Sequence, residues 1–286
     1  MPAQPLVLNH LDRQAFVHYA QRLGKALAPA LAGSRRGLFC DSWEVETHGL
    51  WTRGFGAAFK KRFGYDVRPF MDRIYDRDSG DVRYDYMKLV SHFVLEEFYK
   101  PFVQTCHDLG AFSRVQAHGS PTDLLTAYAL FEVPESEAML FDPPFSRLAA
   151  SAAALAGRRE VSAETFTCVY GFAREHHKEE QTADLKLVAD AMFANGVNQI
   201  IWHGTPLSYS HAGHDSEFYA TVHVGREGSL AKDLRAFNSY MERVSSLMKR
   251  GRTWSDVAVY LPLEDAWISG EYPKALRYPS SSSAHM

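Results

Sequence analysis

Short apolar runs alternate with longer segments of helical period along this chain, and that alternation restricts the fold more than any other feature. Leu6-Val7-Leu8 reads as a short strand. From Asp12 to about Ala30, Phe16, Tyr19, Ala20 and Leu23 recur at three- and four-residue spacing, which predicts a helix that Gly33 ends. Gly37–Cys40 is the next strand, and it runs into Asp41-Ser42-Trp43-Glu44. The stretch from Leu50 to Gly110 is mainly helical. It holds Trp51–Phe63, a short piece at Phe70–Tyr75, and a long helix from about Val82 to Leu109. Val82, Tyr86, Leu89, Val90, Phe93, Val94 and Phe98 form one stripe on that helix. Pro101 inside it should cause a kink.

The alternation then resumes. Strands are predicted at Ser113–Gln116, Ala138–Leu140, Glu160–Ala163, Gln199–Trp202 and Val257–Tyr260. Helices are predicted at Ser146–Ala156, Asp184–Ala194 and Leu230–Lys249. Strands that alternate with helices at this spacing predict βαβ units and a parallel sheet. The expected fold class is α/β, a (β/α)8 TIM-like barrel. The strands before helices number about six against the eight of a closed barrel, so the shortfall is expected at the N-terminal end. An open parallel edge would be covered by a second copy of the chain or by unrecognised strands. Residues 1–267 read as one barrel-like domain and 268–286 as a flexible tail or a cloning remnant, given the run Ser280-Ser281-Ser282-Ser283.

Composition removes several classes of function. Lys and Arg total 31 against 34 Asp and Glu, a net charge of −3, which offers neither nucleic acid nor an anionic membrane a basic surface. No apolar run approaches the length of a membrane span. Three cysteines, Cys40, Cys106 and Cys168, are too few and too scattered for a disulfide framework or a zinc finger. The start, Met1-Pro2-Ala3-Gln4-Pro5, lacks the basic and apolar regions of a signal peptide. That fits the cytoplasm, or a secreted or periplasmic protein whose signal has been removed.

In parallel α/β folds, functional groups gather at the C-terminal ends of strands. Here those ends deliver Asn9-His10, Asp41-Ser42-Trp43-Glu44, Gln116-Ala117-His118-Gly119, Glu164 and His203-Gly204. The set is one of carboxylates, amides, imidazoles and a tryptophan. No GxGxxG follows a strand and no GxSxG elbow is present, so nucleotide and serine-hydrolase chemistry lose their usual supports. Two carboxylates on separate strands suit glycoside hydrolysis, in which one protonates the leaving oxygen and the other activates water or attacks the sugar. Trp43 beside Glu44 is placed to stack on a sugar face.

These residues carry a resemblance. Asp41-Ser42-Trp43-Glu44, Trp51-Thr52 and Phe59-Lys60-Lys61-Arg62-Phe63-Gly64-Tyr65-Asp66 resemble the barrel of the inverting alpha-L-rhamnosidases, glycoside hydrolase family 106. The later segments follow in the same order: Gln116–Gly119, Val133–Glu137, Ala149-Ala150-Ser151, Ala163–Thr167, Leu185-Lys186, Ala189-Asp190, Gly196-Val197-Asn198 and His203-Gly204. The resemblance covers roughly residues 6 to 267. It implies a (β/α)8 catalytic domain acting on terminal alpha-L-rhamnose or a related deoxy-sugar, with inversion at the anomeric carbon. It places the general base at Glu44 and the general acid at Glu164. It also implies calcium near the sugar, with no ligands assignable in this chain.

Around that pair, the substrate-binding candidates are Asp41, Trp43, Gln116, His118, Glu135 and His203. Glu46 rivals Glu44, because two residues along a strand restore the same face. Asp41 suits either a sugar hydroxyl or support of Glu44. Gln116 and His118 suit either sugar contact or structural hydrogen bonds. Glu135 and Glu137 read as flanking a turn, suited either to loop solvation or to the sugar pocket. The charged run Arg174–Glu180 reads as a solvated face. Cys40 reads as a small buried residue, not as a nucleophile. Two other functions stay open. One is a non-catalytic carbohydrate-binding or scaffold protein. The other is a metal-dependent hydrolase using His203, His211 and His214.

Overall fold

The computed structural model describes residues 7–33, 35–44, 49–139, 142–170, 179–205, 222–226 and 228–270. In chain order their helices and strands are α1 (Arg13–Leu31), β1 (Arg36–Cys40), α2 (Phe55–Phe63), α3 (Gly80–Phe93), α4 (Lys100–Asp108), β2 (Ala111–Gln116), α5 (Leu124–Leu130), β3 (Val133–Ala138), α6 (Arg147–Leu155), β4 (Ser162–Thr165), α7 (Thr182–Ala194), β5 (Gln199–Trp202), α8 (Leu234–Met248) and α9 (Leu263–Ser269). This is an α/β fold of parallel strands joined through helices. Its contacts divide into two compact units, residues 1–131 with 257–277, and residues 132–256 with 278–286.

In the first unit β1 pairs parallel with β2, Leu38 opposite Ser113 and Cys40 opposite Val115. The Asp12 carboxylate opens α1 by accepting from the backbone N–H groups of Gln14 and Ala15. Phe55 and Phe59, one turn apart on α2, are fully buried. The long helix forms where its stripe predicts, as α3 and α4 joined by a π-helical turn at Val94–Tyr99. Pro101 accounts for that turn. It has no N–H for the carbonyls of Glu97 or Glu96, and the Lys100 N–H reaches back to Leu95 O. The carbonyl this leaves on Glu96 accepts instead from Arg13 Nη2 on α1.

In the second unit β3, β4 and β5 pair in that order, all parallel. Phe166, Leu185, Ala189, Phe193, Phe237 and Met241 form the core on one side, with α7 and α8 supplying most of it.

Three expected strands differ. Val7 and Leu8 form no strand, and Leu6 lies outside the described residues. The strand sought at Ala138–Leu140 lies upstream as β3, every residue of it buried. Pro134 and two glutamates there imitate a turn, so Glu135 and Glu137 do not flank one. Val257–Tyr260 has strand-like alternation but adopts no strand, and Val257, Val259 and Tyr260 are exposed. β-propensity expresses fit to a half-buried sheet and not an intrinsic backbone preference. The described residues thus hold five strands. Helices α5 and α9 lie where none was expected.

Arg83 fixes α9 within the first unit. It is almost fully buried, and its guanidinium donates to the carbonyls of Ile74, Asp76, Trp267 and Ile268. Gly270 follows at φ 74°, where a Cβ would sit 3.1 Å from Arg83 Nε. Arg83→Met keeps most of the volume and leaves four carbonyls without their donor. An unsatisfied buried group costs about 1–3 kcal/mol, so the expected loss of stability is roughly 2–5 kcal/mol, read from the urea midpoint. Amide exchange should rise first in α9. Arg83→Lys should recover little, because a point charge cannot reproduce the planar fork.

Candidate active site

The first unit carries Asp41-Ser42-Trp43-Glu44 just past the C-terminal end of β1, and Gln116 and His118 at the end of β2. One backbone bond joins the two ends: Trp43 N–H donates to His118 O at 3.1 Å. Asp41 and Glu44 are exposed. Asp41 Oδ1 accepts from the Ser42 N–H at 2.8 Å, and the Ser42 hydroxyl donates to Glu44 Oε1 at 3.3 Å. Trp43 is turned inward. It is 8% exposed, with its ring centroid 4.5 Å from His10 and 6.3 Å from Phe98. Gln116 and His118 are fully buried, and His118 Nδ1 lies 3.3 Å from the Tyr128 hydroxyl. Glu46 lies outside the described residues. The Cys40 thiol is pushed up to about 12, first by burial and then by the charge of Asp41. It is a poor nucleophile, as expected.

The second unit carries the other carboxylates. On parallel strands, residues in register share a face and a row. Glu135 stands opposite Ser162, and Glu137 opposite Glu164. Glu135 is fully buried, and its Oε2 accepts from the Ser162 hydroxyl at 2.5 Å. Glu137 is buried, and its charge adds to the burial that raises the Cys168 thiol to about 11. Glu164 keeps 16% of its side chain exposed, and its Oε1 lies 3.0 Å from His203 Nδ1. His203, at the end of β5, is 27% exposed. Its backbone N–H donates to Thr165 O, and its Nδ1 also lies 2.8 Å from Thr167 Oγ1.

The structure therefore brings Glu164 and His203 into contact, and it sets Glu137 beside Glu164 in register. Glu137 was expected beside a turn, in loop solvent or in the sugar pocket, and its place two residues after Glu135 was the signal for a strand. Of the charged run Arg174–Glu180, residues 174–178 lie outside the described residues. Glu180 is not solvated: its carboxylate is buried and accepts from the His223 N–H at 2.7 Å. His211 and His214 also lie outside the described residues. Among those described, no three His, Cys, Asp or Glu side chains are grouped to hold a metal ion.

A family model for alpha-L-rhamnosidases, glycoside hydrolase family 106, matches residues 7–275. A protein of Formosa agariphila named "Putative beta-glucuronidase" is 27% identical over 242 residues, which is 77% of this chain and 19% of that protein. The solved rhamnosidase from Novosphingobium sp. PP1Y has a similar fold over 88% of this chain and 26% of its own, with a TM-score of 0.63 at 24% identity. The chain spans about a fifth of the length of the first and about a quarter of the second.

His10 gives the first unit a pH dependence. Burial against Trp43 and Phe98 holds its imidazole below the ordinary value of 6.5, against a smaller opposing effect of a backbone hydrogen bond at Leu8. The unfolded chain then binds the proton at a higher pH than the folded one. Stability is full above the ordinary value and is lost as pH falls through the lowered one. Melting temperature should fall as pH drops below the ordinary imidazole value of 6.5, and His10→Phe should flatten that slope. An unchanged slope in the variant would place the effect elsewhere.

Proposed function

The chain belongs to glycoside hydrolase family 106, the alpha-L-rhamnosidase family, and on that premise we propose that it hydrolyses terminal alpha-L-rhamnosides, or those of a related deoxy-sugar, with two glutamates and inversion. The observation that carries this reading is the setting of Glu164. It is a mostly buried carboxyl at the end of a parallel strand, beside a second carboxyl in register, and hydrogen-bonding distance from an imidazole. The reading also takes the five strands as part of a (β/α)8 barrel.

In the proposed reaction Glu164 gives its proton to the glycosidic oxygen as the bond from that oxygen to the anomeric carbon breaks. A water attacks the opposite face, and Glu44 takes its proton. The sugar leaves with inverted configuration, Glu44 is left protonated and Glu164 ionised, and exchange with solvent resets both. Asp41, Trp43, Gln116, His118, Glu135 and His203 are proposed to shape or contact the sugar site. The burial of Trp43, Gln116, His118 and Glu135 favours a supporting part for them, and the exposure of Asp41 and His203 favours contact.

The test is hydrolysis of a panel of aryl glycosides that includes the rhamnoside. The first-formed sugar should be the β-anomer by NMR. Glu164→Gln should lower turnover of poor leaving groups by about 10²–10⁴-fold, with a much smaller loss on an activated aryl group that needs little protonation. Glu44→Gln should lower both about equally, because water activation is needed whatever departs. Equal losses on both substrates for Glu164→Gln would remove it from the acid role. Sugar binding without hydrolysis by the unmutated chain would favour the non-catalytic reading.

A further inference from the structure

Thr167 has no part in the proposed mechanism, yet it is tightly held beside Glu164. Its side chain is almost fully buried. Its hydroxyl lies 2.8 Å from His203 Nδ1, the same nitrogen that lies 3.0 Å from Glu164 Oε1. Its backbone is tied at both ends to the end of β3: Thr167 N–H donates to Ala138 O at 3.1 Å, and Met139 N–H donates to Thr167 O at 2.8 Å.

The flanking backbone is strained. Phe166 sits at φ 81° and Cys168 at φ 54°, in the left-handed region that non-glycine residues seldom occupy. Phe166 is held there by its ring, which is fully buried with its centroid 4.6 Å from Trp202 and 6.2 Å from Phe237. The two reversals turn the Thr167 hydroxyl onto the imidazole.

We propose that Thr167 is a positioning residue for the acid: its hydroxyl fixes the His203 ring so that Nδ1 faces Glu164 throughout the reaction. The proposal rests on the reading of Glu164 as the proton donor. Nδ1 carries the imidazole hydrogen and shares it between Glu164 Oε1 and the Thr167 hydroxyl oxygen, both of which accept. The acidic proton then sits on Glu164 Oε2, so Oε1 accepts before and after that proton goes to the leaving group, and the imidazole neither gains nor loses hydrogen. A methyl group in place of the hydroxyl could not accept. Two partners at Nδ1 hold the ring against rotation about its Cβ–Cγ bond more firmly than Glu164 alone.

The experiment compares Thr167→Val, of the same shape without the hydroxyl, with Thr167→Ser, which keeps it. Two readouts are taken on the whole chain. One is the pair of imidazole nitrogen resonances of His203 by NMR, assigned with His203→Gln. The other is kcat and KM on rhamnosides with poor and activated leaving groups. Thr167→Val should move the His203 resonances and lower kcat about tenfold on the poor leaving group. That is a fraction of the 10²–10⁴-fold that acid–base catalysis contributes. KM should stay within about twofold, since ground-state binding is untouched. Thr167→Ser should restore both. Unmoved His203 resonances in Thr167→Val, or equal losses in Val and Ser, would overturn the proposal. Should the unmutated chain hydrolyse no glycoside while the resonances still respond, the grip of Thr167 on His203 stands and the assignment of Glu164 as acid falls.

Discussion

Parallel pairing leaves a chain little freedom in where it puts its chemistry. Each parallel neighbour must be reached by a crossover from the end of one strand to the start of the next, so the C-terminal ends collect on one side of the sheet. In the second unit that constraint is expressed through β3, α6, β4, α7 and β5. Register does the rest. With Glu135 opposite Ser162 and Glu137 opposite Glu164, two rows of polar side chains share one face of the sheet. A buried carboxylate is expensive unless it is neutral or hydrogen-bonded. Glu135 meets that requirement through the Ser162 hydroxyl. A strand as buried as β3 would be more stable with apolar residues at these positions. Carboxyls kept there against that preference mark the place where folding and function compete.

The first unit solves a different problem, which is how to keep a long helix intact around a proline. Pro101 withdraws an N–H in mid-helix, and the chain answers with a π turn and an arginine from α1. The same device recurs at Arg83, where a guanidinium satisfies carbonyls from two segments far apart in sequence. Both sites use the several donors of arginine to join backbone that no regular hydrogen-bond ladder can reach. Around them Phe55, Phe59, Tyr86 and Tyr99 fill the interior. Aromatic side chains thus supply much of the core of this unit, and even Trp43 packs inward.

What the sequence disclosed follows from which signals are local. Helical period is local and strong, so α1, α6, α7 and α8 stand where Phe16, Ala149, Leu185 and Phe237 place them. β5 was legible because Gln199–Trp202 is a compact apolar run before a histidine. β3 was not, because Pro134, Glu135 and Glu137 are turn residues by propensity, and only neighbours on both faces make them a strand. Val257–Tyr260 erred in the opposite direction, carrying strand propensity without a sheet to express it. α5 escaped notice although Asp123 accepts from the Leu125 and Thr126 N–H groups as a helix cap should. At the site, Glu164 and His203 could be singled out as residues at strand ends. Their contact could not, since it depends on the register of two strands and on the path of the chain beyond Thr165.

That path is where local and global demands conflict most. Within four residues of Glu164, two non-glycine residues adopt left-handed backbone, and neither Phe166 nor Cys168 prefers it. Local propensity would let the chain continue extended past Thr165. A continued strand would alternate its side chains, with Phe166 on one face and Thr167 on the other. The observed turn instead buries the Phe166 ring in the core and brings Thr167 onto His203. Packing at Phe166 thus holds a backbone that would otherwise relax, and the hydrogen bonds to Ala138 and Met139 hold it from the neighbouring strand. The core of the second unit and the geometry around Glu164 are therefore coupled: whatever loosens Phe166 against Trp202 and Phe237 also loosens the imidazole that touches the acid.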